Sequence, residues 1–227
     1  MDSILSLLMG YLFGSIPFGL LLTKAAGLGD VRDIGSGNIG ATNVLRTGNK
    51  WLAAGTLLLD MMKGFVPVSL AGLLFYAPLD YGEASYGTVP AAAIGAVLGH
   101  SFPVWLKFKG GKGVATNAGV SFGIGWPIGL AYALVWIGVL AVSRISSVAG
   151  MSAVVAAALA ATFTGYPEFI PVLVIIALLI IWLHRANIGR LIRGEEPKVS
   201  GGKDAAEEPG ADMNAGGDPD GDAGGDK

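Results

Sequence analysis

Apolar residues in this chain come in long blocks separated by short polar stretches. The blocks lie near residues 4–22, 51–77, 85–106, 114–143, 147–164 and 167–183. The first, ILSLLMGYLFGSIPFGLLL, is nineteen residues long and carries no charge. A helix needs about 20 apolar residues to cross a bilayer, so blocks of this length predict membrane spans. The fourth block differs. Its thirty residues exceed one span, and GIGWP at 123–127 puts glycines and Pro127 inside it, which break a helix. Two short helices meeting near Pro127 are expected there, as two spans or as a re-entrant pair of the same parity.

The flanking charges choose between one crossing and two. With the N-terminus outside, Lys24, Arg32, Arg46 and Lys50 fall inside, followed by Lys107, Lys109 and Lys112. If the fourth block turns back, Arg144, Arg185, Arg190 and Arg193 also fall inside. The outside loops 78–84, 123–127 and 164–168 then hold no Lys or Arg. Cytoplasmic loops carry the excess of basic residues. The expectation is an all-α polytopic membrane bundle of seven transmembrane helices, N-terminus outside and C-terminus cytoplasmic. The N-terminal block has no basic flank and no small-residue cleavage site, so it is read as a span and not as a secretory signal.

The absence of cysteine excludes disulfides and thiolate metal sites. The net charge of −2 hides an asymmetry: residues 194–227 hold ten acids and three lysines, −7, which leaves +5 on residues 1–193. The end of the chain is rich in Gly, Asp, Ala and Pro, and cannot bury enough apolar surface to fold. Two regions are expected: a transmembrane domain over 1–197 and a disordered acidic tail over 198–227.

Three polar, glycine-containing stretches fall on the cytoplasmic side: DIGSGNIGATNVLRTG at 33–48, KFKGGKGVAT at 107–116 and HRANIGRLIRGEEPK at 184–198. Irregular backbone at a membrane surface is tolerated where it lines a polar site, so one shared site is expected. In the second stretch, a glycine turn opening onto a helix over 114–122 makes an anion site, with Lys112 as a point charge. The Walker pattern does not match, because Gly113 follows Lys112. A basic anchor at the headgroups would explain the lysines but not the glycines.

In the first stretch, Ser36, Asn38, Thr42 and Asn43 surround Arg46, which suits phosphate recognition. An ordinary loop with Asx turns and caps is the local alternative. In the third, His184, Asn187 and Arg190 share a helix face, and Glu196 is placed to pair with an arginine. Asp60 and Lys63 lie inside the second block, paired with each other or with the basic loops, and His100 ends the third block. No H-x-x-x-x-D acid–base pair is present: Trp105 and Gly189 stand where the acid would be. No metal cluster is evident, since the two histidines lie on different segments. A transporter for a phosphorylated metabolite fits the spans and charges too, although such sites usually lie near the midplane between inverted repeats.

The stretch Gly35–Arg46 resembles the first motif of the bacterial acyl-phosphate:glycerol-3-phosphate acyltransferases. Gly99-His100-Ser101-Phe102-Pro103 with Phe108–Thr116 resembles the second, and His184–Leu191 with Gly194 and Glu196 the third. Asp60, Lys63, Gly64 and Pro67 are similar to that family's second helix. The resemblance covers residues 1–197 and implies an inner-membrane enzyme with its site on the cytoplasmic face. Such an enzyme moves an acyl group from acyl-phosphate to the 1-hydroxyl of glycerol-3-phosphate. The products are lysophosphatidic acid and phosphate, in the first step of phospholipid synthesis.

The resemblance further implies no cofactor, no metal and no nucleic acid. The bilayer, both substrates and the enzyme that makes acyl-phosphate would be the partners. Ser36 and Arg46 would act near the acyl-phosphate, with Asn38, Thr42 and Asn43 shaping the loop against substrate. Lys109, Gly110, Gly111, Lys112 and Gly113 would bind the phosphate of glycerol-3-phosphate, with Arg190 nearby. His184 and Asn187 would assist catalysis, and Glu196 would support the third motif.

Overall fold

A computed structural model describes residues 1–75 and 84–199, and every regular element within them is helical. Most of the expected 78–84 loop and of the acidic tail lies outside the described residues. Helices α1 (Asp2–Gly14) and α2 (Phe18–Ala25) form one 24-residue apolar span, interrupted at Ser15–Pro17. A polar cap with the short helix α3 (Ala41–Val44) follows, then α4 (Lys50–Phe75) and α5 (Ala84–Ser101). The fourth block forms two helices, α6 (Val114–Ile124) and α7 (Trp126–Ser143), which break at Gly125. Pro127 occupies the first turn of α7, where its missing N–H costs nothing. Last come α8 (Ser146–Phe163), α9 (Ile170–Leu183) and α10 (Arg185–Ile192).

Five helices among the described residues are long and apolar enough to cross a membrane, and a sixth if α9 and α10, bent by 58°, count as one. Helix α6 has eleven residues. At 1.5 Å per residue it extends about 16 Å, half of a ~30 Å hydrocarbon core.

In lipid, helices associate by close packing, which favours small residues at their contacts. Between α1 and α5 the backbones nearly touch: a Cβ at Gly99 would lie 2.8 Å from Ser15 N, and one at Gly10 3.0 Å from Ala96 N. The α4–α6 pair repeats this, with a Cβ at Gly119 2.8 Å from Phe65 N. The core between the pairs holds Val68, Ala96, Val120, Ile128, Ile176 and Ile180. Buried Tyr132 of α7 donates to Val114 O at 2.7 Å, which ties the returning helix to the start of α6. Large apolar side chains such as Leu134, Val142, Leu159 and Leu178 remain exposed, as a lipid-facing surface requires.

The α6–α7 excursion starts and ends at one face. Val199 N–H donates to Arg144 O at 2.7 Å just past α7, and Ser147 at the start of α8 donates to Glu196 at 2.6 Å. The basic segment at 107–112, Arg144 and the basic C-terminal segment therefore meet, as the charge distribution predicts for a doubled fourth block.

Candidate active site

Asn43 organises the first loop. Only 2% exposed, it donates through Nδ2 to Val31 O at 2.7 Å and Asn38 O at 2.8 Å. Its Oδ1 accepts the Ser36 N–H at 3.1 Å and the Ser36 hydroxyl at 3.3 Å. The loop is thereby folded over a small apolar cluster of Leu20, Val31, Ile39, Val44 and Ala53. Asn43 shapes the loop from inside, with both polar atoms engaged there. Gly35 takes φ +53°, and a Cβ there would lie 2.6 Å from Arg46 Cδ, so the arginine passes directly beside Gly35, the residue before Ser36. Ser36, Thr42 and Arg46 are exposed. At the loop's entry Asp30 accepts from Arg32 Nη2 at 2.6 Å, and this bond holds its carboxyl well below the usual range.

The second loop is anchored to the end of α5. Gly110 N–H donates to Ser101 O at 3.1 Å and Gly111 N–H to His100 O at 3.0 Å. These two amides are therefore engaged by the protein itself. What the two glycines supply is close approach: a Cβ on Gly110 would lie 2.6 Å from Pro103 Cδ, and one on Gly111 would strike the His100 ring. The N–H groups left for an anion belong to Gly113, at φ +81°, and the first turn of α6. Lys107 and Phe108 precede them, both non-glycine residues in the left-handed region at φ 52° and 61°. Backbone strain of this kind tends to mark functional loops.

The third stretch hangs on Glu196, whose side chain is 5% exposed. It accepts from Ser147 Oγ at 2.6 Å, Asn187 Nδ2 at 2.5 Å and Arg190 Nε at 2.8 Å. Burial pushes its carboxyl up, but these three bonds together outweigh burial and hold it below its ordinary value. Asn187 in turn accepts from Lys112 Nζ through Oδ1. Burial lowers the Lys112 ammonium below its ordinary value, the Arg190 charge lowers it further, and Glu196 opposes both. His184 sits just past the end of α9, 3% exposed, where Nδ1–H donates to Ile180 O at 2.7 Å. That bond leaves Nε2 as an acceptor. Burial lowers the imidazole to about 4, so it is neutral at pH 7.

A cavity of about 250 Å³ joins the three stretches. Asn38 comes from the first, Lys109, Gly110, Gly111 and Lys112 from the second, and Trp182, Leu183 and Arg185 from the third region. Lys112, Asn187, Arg190 and Glu196 thus form one bonded cluster at its edge. Ser36, Thr42 and Arg46 stand outside the lining, on the loop that supplies Asn38. Ser147 was not legible in the sequence: it is one of two adjacent serines in a helical turn, and only the fold shows its bond to Glu196. Phe102, Phe108 and Trp182 also line the cavity, and no periodicity singles them out.

Comparison with known proteins shows the family. The family model described as glycerol-3-phosphate acyltransferase matches residues 4–194. A glycerol-3-phosphate acyltransferase of Erythrobacter litoralis is 67% identical over 199 residues, which is 88% of this chain and 96% of that protein. One of Mesorhizobium japonicum is 53% identical over 196 residues, 86% and 95% of the two chains. Among solved structures, PlsY (YgiH), an integral membrane glycerol 3-phosphate acyltransferase, superimposes in its glycerol 3-phosphate form with a TM-score of 0.80. It is 36% identical, over 92% of this chain and all of that one. Its lysophosphatidic acid form gives 0.78 at 34% identity.

Proposed function

Since the chain belongs to the glycerol-3-phosphate acyltransferase family, of the PlsY type, we propose that it takes its acyl group from acyl-phosphate. It attaches that group to the 1-hydroxyl of sn-glycerol-3-phosphate and releases lysophosphatidic acid and inorganic phosphate. The observation that carries this reading is the basic cavity to which all three polar stretches contribute. One substrate is a soluble phosphate and the other a lipid with a phosphate head, so a cationic cavity at a membrane face accommodates both.

Acyl-phosphate is a mixed anhydride, already activated. The substrate hydroxyl adds to its carbonyl carbon, the carbonyl oxygen carries the developing negative charge, and the carbon–oxygen bond to phosphate breaks. No protein nucleophile is required. The protein holds two anions in line and stabilises the oxyanion. Lys112, the Gly113 N–H and the first turn of α6 hold the phosphate of glycerol-3-phosphate. Arg46 and Ser36 attend the acyl-phosphate. His184 Nε2 accepts a hydrogen bond from the attacking hydroxyl and orients it, and Asn187 keeps Lys112 in place.

A substrate phosphate oxygen takes the hydroxyl proton. An imidazole held at about 4 is a weak base for that task. The pH–rate profile is then expected to show no His184 titration between pH 5.5 and 8. A limb in that range that disappears in His184→Gln, with substrate binding unchanged, would defeat this assignment.

We read the topology as seven spans, N-terminus outside and C-terminus inside, in a bacterial inner membrane, with the cavity on the cytoplasmic face. Residues 1–197 form the enzyme, and 198–227 an acidic appendage. The enzyme that makes acyl-phosphate is then a neighbour on the same face. The test of the donor is product formation by purified protein in detergent, with labelled glycerol-3-phosphate and either acyl-phosphate or acyl-CoA. Lysophosphatidic acid is expected from acyl-phosphate alone, and Ser36→Ala is expected to lose it. Product from acyl-CoA at a comparable rate would overturn the donor assignment.

A further inference from the structure

Beneath the second loop lies a group of buried polar side chains that the proposed reaction does not use. Asp60 and Lys63 of α4 and His100 of α5 are 1%, 2% and 3% exposed. Ionisable side chains at such depth are expensive and persist where they are paired or functional. Two of the three answer each other. Lys63 Nζ lies 2.7 Å from Asp60 Oδ1 and donates to Ile16 O at 2.8 Å. Charge neutrality needs no third partner.

His100 is the unexplained member. Among the described residues its Nδ1 has no hydrogen-bond partner, and it lies 4.0 Å from Asp60 Oδ1. Its opposite edge, at Nε2, occupies the space a Gly111 side chain would need. Its carbonyl accepts the Gly111 N–H at 3.0 Å. The ring is thus wedged between a buried carboxylate and the residue just before Lys112.

We propose that His100 is a positioning residue. Resting on the Asp60–Lys63 pair, it sets the height of the loop that carries Lys112, and with it the affinity for glycerol-3-phosphate. This rests on the reading that Lys112 holds the phosphate. The 4.0 Å gap is about 1 Å longer than a hydrogen bond. Settling of the loop onto a bound phosphate by that amount closes Nδ1–H onto Asp60. His100 itself touches no reacting atom; it acts through the backbone of the loop.

The test uses the full chain in detergent and two variants. His100→Gln keeps a nitrogen near the Nε2 position and removes the one facing Asp60. The double variant Asp60→Asn/Lys63→Met removes both charges together, so that neither is left buried alone. Three quantities are read: the thermal midpoint, the Kd of labelled glycerol-3-phosphate by equilibrium dialysis, and kcat at saturating substrate. In both variants the midpoint is expected to stay near the wild-type value. Kd is expected to rise about tenfold or more while kcat stays within about threefold.

A double variant with wild-type midpoint and wild-type Kd overturns the proposal, because the pair would then serve only to neutralise itself. If the double variant does not fold, His100→Gln decides alone: an unchanged Kd overturns the proposal, and a raised Kd with normal kcat and midpoint supports it. Wild-type protein that binds no glycerol-3-phosphate defeats the phosphate-site reading and this one with it. Wild-type binding with unchanged variants defeats only this one.

Discussion

Lys112→Met is expected to lower kcat/KM for glycerol-3-phosphate by about 10²–10³-fold while the helices stay folded. The size follows from where the ammonium sits. Asn187 holds Nζ through Oδ1, and Glu196 fixes Asn187 from behind. Burial and the Arg190 charge both disfavour the charged lysine, so an arriving phosphate relieves a cost already present in the empty site. A freely solvated lysine would offer much less, because water would screen it in both states.

Lys112→Arg retains the charge but not the geometry, and is expected to be impaired too, since a planar guanidinium does not fit a contact built for a compact ammonium. In wild type the alkaline limb of the pH–rate profile is expected below 10.5, the ordinary lysine value, because the Lys112 ammonium is lowered. Steady-state kinetics with a melting curve checks all of this. Lys112→Met with kcat/KM within fivefold of wild type would remove Lys112 from the site.

Glu196→Gln is expected to damage both stability and turnover. The carboxylate accepts from three groups, Ser147, Asn187 and Arg190. An amide keeps one acceptor oxygen and presents an NH₂ to groups that donate. The loss is expected to be about 1–3 kcal/mol, toward the lower end because Arg190 is partly solvated. With Asn187 loosened, Lys112 loses its support, so activity falls beyond what the lost stability explains.

The pH dependence has a definite sign. Glu196 is held below its ordinary value of 4.5. Below that pH the unfolded chain therefore takes up a proton that the folded protein resists, and stability falls. His184, lowered from 6.5 to about 4, acts in the same direction at higher pH, as the pH falls from 6.5 to about 4. Thermal midpoints are expected to decline on acidification from about pH 6.5, and His184→Gln to remove the upper part of the decline. A midpoint flat from pH 7 to 4 would contradict both assignments.

The sequence showed the bundle more clearly than the site. The thirty-residue length and GIGWP at 123–127 predict a helix break in the fourth block, since a span's length and a helix break are local properties, and the flanking charges then favour two crossings over one. The break itself falls at Gly125, two residues before Pro127, because proline is comfortable in a first helical turn. The convergence of the three polar stretches followed from charge sidedness, which the whole chain encodes. Partner choice did not follow. Nothing local tells that Gly110 and Gly111 spend their amides on the end of α5, that Asn43 is turned inward, or that Ser147 reaches Glu196. Asp60 and Lys63 were legible as a possible pair from their spacing, but His100 beside them was not, because it arrives from another helix.

The contact between Lys112 and Asn187 joins residues 75 positions apart, and Ser147 waits 49 positions for Glu196. A ribosome makes the chain from the N-terminus, at about 5–20 residues per second. Lys112 therefore emerges roughly 4–15 s before its partner exists, and most of the helices are made before the last turn that completes the cluster. A chain arrested before Glu196 would hold the Lys112 loop without the segment that braces it. Copies that stop short of Glu196 are thus expected to hold Lys112 less firmly than the complete cluster does.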